Sequence, residues 1–310
     1  MSKIEWTERT WNPVTGCDKI SAGCKNCYAE TMANRLQAMG QANYANGFKV
    51  TLQPQMLDVP LKRKKPTMWF VNSMSDLFHK DIPFEFIDRV FGMMTLCPQH
   101  TFQILTKRAD RLKEYMERIE DAPDLVGFAA AYWAEFEDIP MYEEWPPKHI
   151  WLGVSVENQK AADERIPLLL ETPAAIRFLS CEPLLGAVDL TDIRIVYPVV
   201  LNSLTGGHFN IDDEPITENG KPIFGNKIDW AIVGGESGPK PRFCQLEWIR
   251  SIVEQCRGAN VPVFVKQLGS FVYYQNPENP RDHLIYKTKF KGGDINEFPK
   301  DLQIREFPKQ

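Results

Sequence analysis

Six short apolar runs, each ending in polar or Gly-rich residues, restrict this chain to one class of fold. Met68–Val71 runs into Asn72-Ser73-Met74-Ser75-Asp76, and Phe102–Leu105 into Thr106-Lys107-Arg108. Ile150–Val154 runs into Ser155-Val156-Glu157-Asn158, and Ile176–Leu179 into Ser180-Cys181-Glu182-Pro183. Trp230–Val233 runs into Gly234-Gly235-Glu236-Ser237-Gly238, and Val263–Val265 into Lys266-Gln267-Leu268-Gly269. Nearly continuous apolar character marks strands covered on both faces, hence a parallel sheet. Helix-spaced apolar residues between most of the runs predict helices over Phe84–Leu96, Asp110–Ile119, Gln159–Leu170 and Leu246–Cys256. With a first strand expected ahead of Cys17, the pattern is α/β: a complete or partial (β/α) TIM-type barrel.

Such barrels place their chemistry at the C-terminal ends of the strands. The polar ends here carry Asn72, Ser73, Ser75, Asp76, Thr106, Lys107, Arg108, Ser155, Glu157, Asn158, Ser180, Glu182, Glu236, Ser237, Lys266 and Gln267. Helix capping accounts for many Ser, Asp and Asn residues at such places. It accounts poorly for Lys107, Arg108, Glu182, Glu236 and Lys266.

Three cysteines lie between the expected first strand and a helix predicted over Tyr28–Met39. Cys17 and Cys24 are separated by six residues, and Cys24 and Cys27 by two. Three close thiols suit a [4Fe-4S] cluster with one iron free of protein ligands, whereas a structural metal site is usually closed by four. No further Cys or His is near; His79 and Cys97 come next. A zinc site completed by a distant residue such as His79 is the alternative. Cys97, Cys181, Cys244 and Cys256 are scattered, as expected of small buried hydrophobes. Gly23 and Ser21 permit the tight wrap that ligation requires, and Tyr28 is placed to pack on a cluster.

Three cysteines after a first strand, followed by a β/α barrel, resemble the radical S-adenosylmethionine (SAM) enzymes. Their common spacing is three residues then two, from which six then two departs. From Trp11-Asn12-Pro13-Val14-Thr15-Gly16-Cys17 to Glu297-Phe298-Pro299, the chain resembles a phage- and prophage-associated three-cysteine-motif family. The resemblance implies that the open iron is chelated by the amino and carboxylate groups of SAM, and that one electron cleaves the sulfonium bond. The resulting 5′-deoxyadenosyl radical takes hydrogen from an unreactive carbon, and the protein positions substrate and excludes water.

In radical SAM enzymes a Gly-Gly-Glu segment at the second strand contacts the SAM amino group. Gly234-Gly235-Glu236 occurs at a much later strand, so the expected equivalents are Asn72, Ser73, Ser75 and Asp76, with Asp76 on the ammonium. Lys107, Arg108 or Arg177 is expected to hold the SAM carboxylate or a substrate phosphate. Ser155 and Glu157 also count as cofactor-binding, and Glu182 and Glu236 face the ribose hydroxyls or the substrate. The phage setting implies a nucleotide or a modified DNA base as substrate, rearranged or modified by an isomerase-like activity. It also implies an electron donor such as flavodoxin or ferredoxin.

Formal net charge is −5, so bulk charge does not mark a nucleic-acid binder; Lys62-Arg63-Lys64-Lys65 is a local exception, read as a solvated loop or a phosphate-contacting patch. No apolar run approaches the ~18 residues of a membrane helix. Met1–Trp6 lacks the apolar stretch of a signal peptide, and clustered thiols suit a reducing compartment. The expected location is the cytoplasm, the host's if the chain is phage-encoded. A single domain over 1–310 is expected, with insertions at about 120–148 and 190–228 and an irregular tail from about 270. Non-SAM alternatives are a structural or sensing cluster in phage DNA metabolism, or a non-catalytic phage interaction protein. A metal-dependent phosphoesterase would need grouped His and Asp, and the five His are spread along the chain.

Overall fold

The computed structural model describes residues 4–127, 129, 145–275, 279, 283–286 and 292–309. Its strands are β1 (Arg9–Trp11), β2 (Val14–Thr15), β3 (Thr51–Leu52), β4 (Met68–Val71), β5 (Thr101–Thr106) and β6 (Ile150–Ser155). These are followed by β7 (Ile176–Cys181), β8 (Ile193–Val196), β9 (Val199–Asn202), β10 (Gly207–Phe209), β11 (Thr217–Glu218) and β12 (Lys221–Pro222). The last are β13 (Trp230–Gly234), β14 (Cys244–Gln245), β15 (Val263–Gln267), β16 (Val272–Gln275) and β17 (His283–Tyr286). The helices used below are α1 (Tyr28–Ala38), α2 (Phe84–Thr95), α3 (Ala109–Asp121), α4 (Gln159–Glu171) and α5 (Leu246–Gly258).

All six expected strands form. Seven strands lie in one sheet in the order β1-β4-β5-β6-β7-β13-β15. The β1/β4, β4/β5, β7/β13 and β13/β15 ladders are parallel. This order has two ends, so of the two barrel alternatives the partial one holds. The chain divides into two compact units, Met1–Gly153 with Thr172–Ile176, and Val154–Glu171 with Arg177–Gln310.

In the first unit, α3 buries Leu112, Tyr115, Met116 and Ile119, the one-face spacing read from the sequence. Tyr115 anchors an aromatic cluster, its ring centroid 5.0 Å from Phe91, 5.5 Å from Phe84 and 5.9 Å from Phe78. Burying side chains of this size contributes roughly 1.5–3 kcal/mol each. It packs α2 and α3 together beside the segment that follows β4.

In the second unit the segment 190–228, expected as an insertion, folds as a three-stranded antiparallel sheet, β10-β9-β8, with the small β11/β12 pair. The expected irregular tail is corrected in part. β16 pairs with β17 and with β14, because Val272-Tyr273-Tyr274 is a β-branched and aromatic run with a partner strand downstream. Farther on, Val265 N–H donates to Ile304 O and Glu306 N–H to Val263 O. The tail thus lies along the edge strand β15, satisfying an edge otherwise open to pairing. Of the insertion expected at about 120–148, residues 130–144, acidic and aromatic in sequence, lie outside the described residues. Among those described, no helix is long and apolar enough to cross a membrane.

Candidate functional site

The cysteine loop is fastened to the C-terminal end of β4. Beyond β1, Asn12 Oδ1 accepts from Ser73 Oγ at 3.2 Å and Met74 N–H at 3.0 Å. Gly16 N–H donates to Met74 O at 3.0 Å, Gly16 bridges to Ser75, and Cys17 N–H donates to Phe48 O at 3.2 Å. Gly16 sits at φ +84, a conformation open to glycine at little cost. Cys24 closes a short 3₁₀ turn, and Cys27 is the residue before α1. Inside α1, Ala29 and Ala33 pack on Met74. The Tyr28 hydroxyl donates to Ser73 O at 2.8 Å, so that residue pins the loop to the strand end while its ring stays 55% exposed.

Asp76 is the hub beneath the loop. Its Oδ1 accepts from Thr106 Oγ1 (2.7 Å) and Phe78 N–H (3.1 Å), and its Oδ2 from Lys107 N–H (3.1 Å) and Arg108 Nη1 (2.8 Å). Arg108 reaches onward, Nη1 lying 3.5 Å from Cys17 Sγ and Nη2 donating to Asp18 O at 3.3 Å. A buried ion pair thereby connects the ends of β4 and β5 to the first cysteine. The role expected of Asp76, pairing a ligand ammonium, gives way to a bracing one, since both its oxygens are already engaged. Ser73 and Ser75 are likewise engaged, Ser75 Oγ donating to Val14 O at 2.9 Å. Asn72 differs: neither atom of its carboxamide has a partner among the described residues.

The thiols are unequal. Burial, with the nearby Asp76 carboxylate, pushes Cys17 up to about 11 in spite of Arg108. Burial pushes Cys24 up too, but hydrogen bonds from the backbone at Ile20 and Ser21, the Ser21 hydroxyl and the charge of Lys107 outweigh it and leave Cys24 below its ordinary value. Because the thiolate is the nucleophile, iodoacetamide at about pH 8 is expected to alkylate Cys24 at least about tenfold faster than Cys17 in metal-free protein. Peptide mass spectrometry against time checks the order, and equal rates would contradict it.

His79, the expected completing ligand of a zinc site, lies beside the loop and is already engaged. Its Nε2 is 3.1 Å from Asp18 Oδ2, and its Nδ1 accepts from Asp81 N–H at 3.2 Å. Asp18, His79 and Asp81 bring ligand atoms within 4.8 Å of one another; the three thiols do not form such a group among the described residues. Sulfurs sharing one tetrahedral ion stand about 3.8 Å apart, from a Zn–S bond of about 2.3 Å. A cubane holds each thiolate on its own iron and takes a wider spacing. Three thiols are the donor set a cluster takes, and at least one pair of them stands wider apart than a single zinc ion would hold it.

In the second unit the strand-end carboxylates are paired internally. Glu157 is buried and bonded to Arg165 Nη1 at 2.8 Å, and Arg165 also donates to Ser155 O. Glu182 accepts from Lys266 Nζ at 2.7 Å on both oxygens and from Gln267 Nε2 at 2.8 Å. Glu236 takes Arg242 Nη2 at 2.6 Å and Nε at 3.0 Å. Arg177, expected within its run as a holder of a carboxylate or phosphate, lies near the N-terminal end of β7, away from the strand ends, with Nε donating to Leu169 O. The basic run is also displaced. Lys62 pairs with Asp58, Arg63 donates to Thr67, and the run enters β4 at the end opposite Asn72.

Residues 1–299 match the family DUF5131, described as a protein of unknown function. The chain belongs to that family. No curated protein and no solved structure matches it. For this member of DUF5131, sequence reasoning missed Asn12, Asp18 and the link from Arg108 to Cys17. The Asn12-Pro13 pair directly after the first strand was the available signal for a side chain that organises a turn.

Proposed function

We propose that Cys17, Cys24 and Cys27 carry a [4Fe-4S] cluster and that the protein is a radical SAM enzyme that rearranges or modifies a nucleobase in phage DNA. The observation that carries this reading is the division of the seven cysteines. Cys97, Cys181, Cys244 and Cys256 are buried, and the three of the loop are partly open. Those three share one electrostatic neighbourhood: Cys24 raises Cys17, and Cys24 and Cys27 both act on Lys19. Such a cluster, when bound, supplies an open iron and one electron for reductive cleavage of SAM, the electron coming from a flavodoxin- or ferredoxin-type donor.

The chain's own residues hold the site in shape. Arg108 sets a cation against Cys17 and favours its thiolate, as outer-shell donors do for metal-bound sulfur. Tyr28, Asn12 and Asp76 fix the loop to the strand ends, so that the ligands do not depend on the metal for their placement. The substrate class rests on the resemblance to the phage-associated family.

The test uses protein reconstituted without oxygen. Iron and sulfide are assayed, then 5′-deoxyadenosine release from SAM with a reductant. About four irons are expected, with nucleoside release, and both are expected to be lost in the Cys17→Ala, Cys24→Ala and Cys27→Ala variants. A full cluster that leaves SAM intact would make this an iron–sulfur protein of another kind; zinc in place of iron would remove the mechanism.

A further inference from the structure

Asn72 combines three properties. Its side chain is 2% exposed, and neither Oδ1 nor Nδ2 has a hydrogen-bond partner among the described residues. Its backbone is fully occupied: N–H donates to Trp11 O at 2.7 Å, O accepts from Ser75 N–H, and φ is +59. The turn itself would accept glycine, so the carboxamide is not needed to make it. A buried amide without partners is costly to the folded chain, and structures that retain one commonly do so for a ligand or water. On the neighbouring strand Gln103, fully buried, spends Nε2 on Trp6 O and leaves Oε1 unpartnered. It stands opposite Phe70, two residues before Asn72.

We infer that the Asn72 carboxamide recognises the hydrogen-bonding edge of a nucleobase. The inference deepens the reading above and rests on its assignment of SAM as cofactor and a nucleobase as substrate. A carboxamide offers a donor and an acceptor side by side, the complement of the paired acceptor and donor on a base edge. A phosphate or carboxylate engages only Nδ2 and leaves Oδ1 stranded, and an ammonium engages only Oδ1. Two sources share this chemistry, the adenine of an adenosyl cofactor and the base of a nucleic-acid substrate.

Calorimetric titration of the full chain without iron or reductant tests this, so failure of cluster assembly leaves the outcome untouched. The probes are adenosine, thymidine and deoxycytidine, with ribose as control. The wild-type protein is expected to bind at least one nucleoside and not ribose. Asn72→Gly, which keeps the turn, is expected to weaken that binding about tenfold or more, the discrimination of one bidentate contact. Its melting temperature is expected to equal or exceed that of the wild type, because an unpaired buried amide has been removed. Asn72→Asp, which trades the donor for an acceptor at constant size, is expected to weaken binding as well. A loss confined to adenosine assigns the contact to the cofactor's adenine; one confined to thymidine or deoxycytidine assigns it to the substrate. Three results overturn the inference: no nucleoside binding by the wild type at millimolar concentration, equal affinity in Asn72→Gly, or a lowered melting temperature in Asn72→Gly with affinity kept in Asn72→Asp.

Discussion

Replacing Asp76 by alanine is expected to destabilise the protein by about 3–5 kcal/mol, the usual consequence of removing one partner of a buried ion pair. The Asp76 and Arg108 side chains are only 9% and 11% exposed, so solvent screens the pair little. The variant strands the Arg108 guanidinium and leaves Thr106 Oγ1 and the Lys107 and Phe78 amides without their acceptor. The asymmetry of such deletions gives a second, sharper expectation. Converting Arg108 to methionine in the same chain should recover part of the loss, since two apolar side chains replace a pair rather than half of one. Urea unfolding of the two single variants and the double variant completes the cycle. Strictly additive losses would mean that the pair contributes nothing as a pair and that Asp76 acts only through Thr106 Oγ1 and its backbone donors.

Gly16→Ala is the other large effect. A Cβ at this position would stand 2.2 Å from Lys49 O, 2.4 Å from Lys49 C and 2.6 Å from Phe48 O, at a φ of +84. All three obstructing atoms are backbone, so no side chain can rotate out of the way. The loop must leave the Phe48-Lys49 backbone or that segment must shift, and a loss of about 3 kcal/mol or more is expected from strain of this kind. Displacement also releases Cys17 from Phe48 O and from the burial that raises its pKa. Cys17 in the variant should therefore be alkylated nearly as fast as Cys24. Unchanged stability together with slow alkylation of Cys17 would show that the close approach is not maintained in solution.

The sheet strands β4, β5, β6, β7, β13 and β15 were legible because each carries a mainly apolar run. β6, with every residue buried, is the plainest case. Helices α3 and α5 were legible through spacing alone. β14, β16 and β17 were not: a two-residue strand such as β14 carries almost no pattern, and the four-residue β16 and β17 lie in a tail rich in charge and Pro. At the site, the cysteines and the polar strand ends could be picked out one at a time. Their pairing could not. Arg108 and Asp76 are 32 residues apart and meet because β4 and β5 are in register, with Val71 opposite Ile104. Glu182 and Lys266 are 84 residues apart. A sequence shows that a charge exists at a strand end; only neighbouring strands decide whether it is already neutralised. Asn72 shows the reverse. It read as one polar residue among the four at the end of β4, and its unpaired state emerges only when its surroundings are known.

The anchoring of the cysteine loop also bears on the order of events in the cell. Its fastenings are hydrogen bonds to Met74, Phe48, Ser73 and Asn12, with helix packing, and none of them passes through a sulfur. Metal-dependent finger domains lack such a framework and unfold when stripped. On the reading proposed above, this chain is expected to fold before its cluster arrives and to be loaded afterwards by whatever machinery carries iron. Starvation for iron or damage by oxygen would then silence it without destroying it, and repair would need a new cluster rather than a new protein.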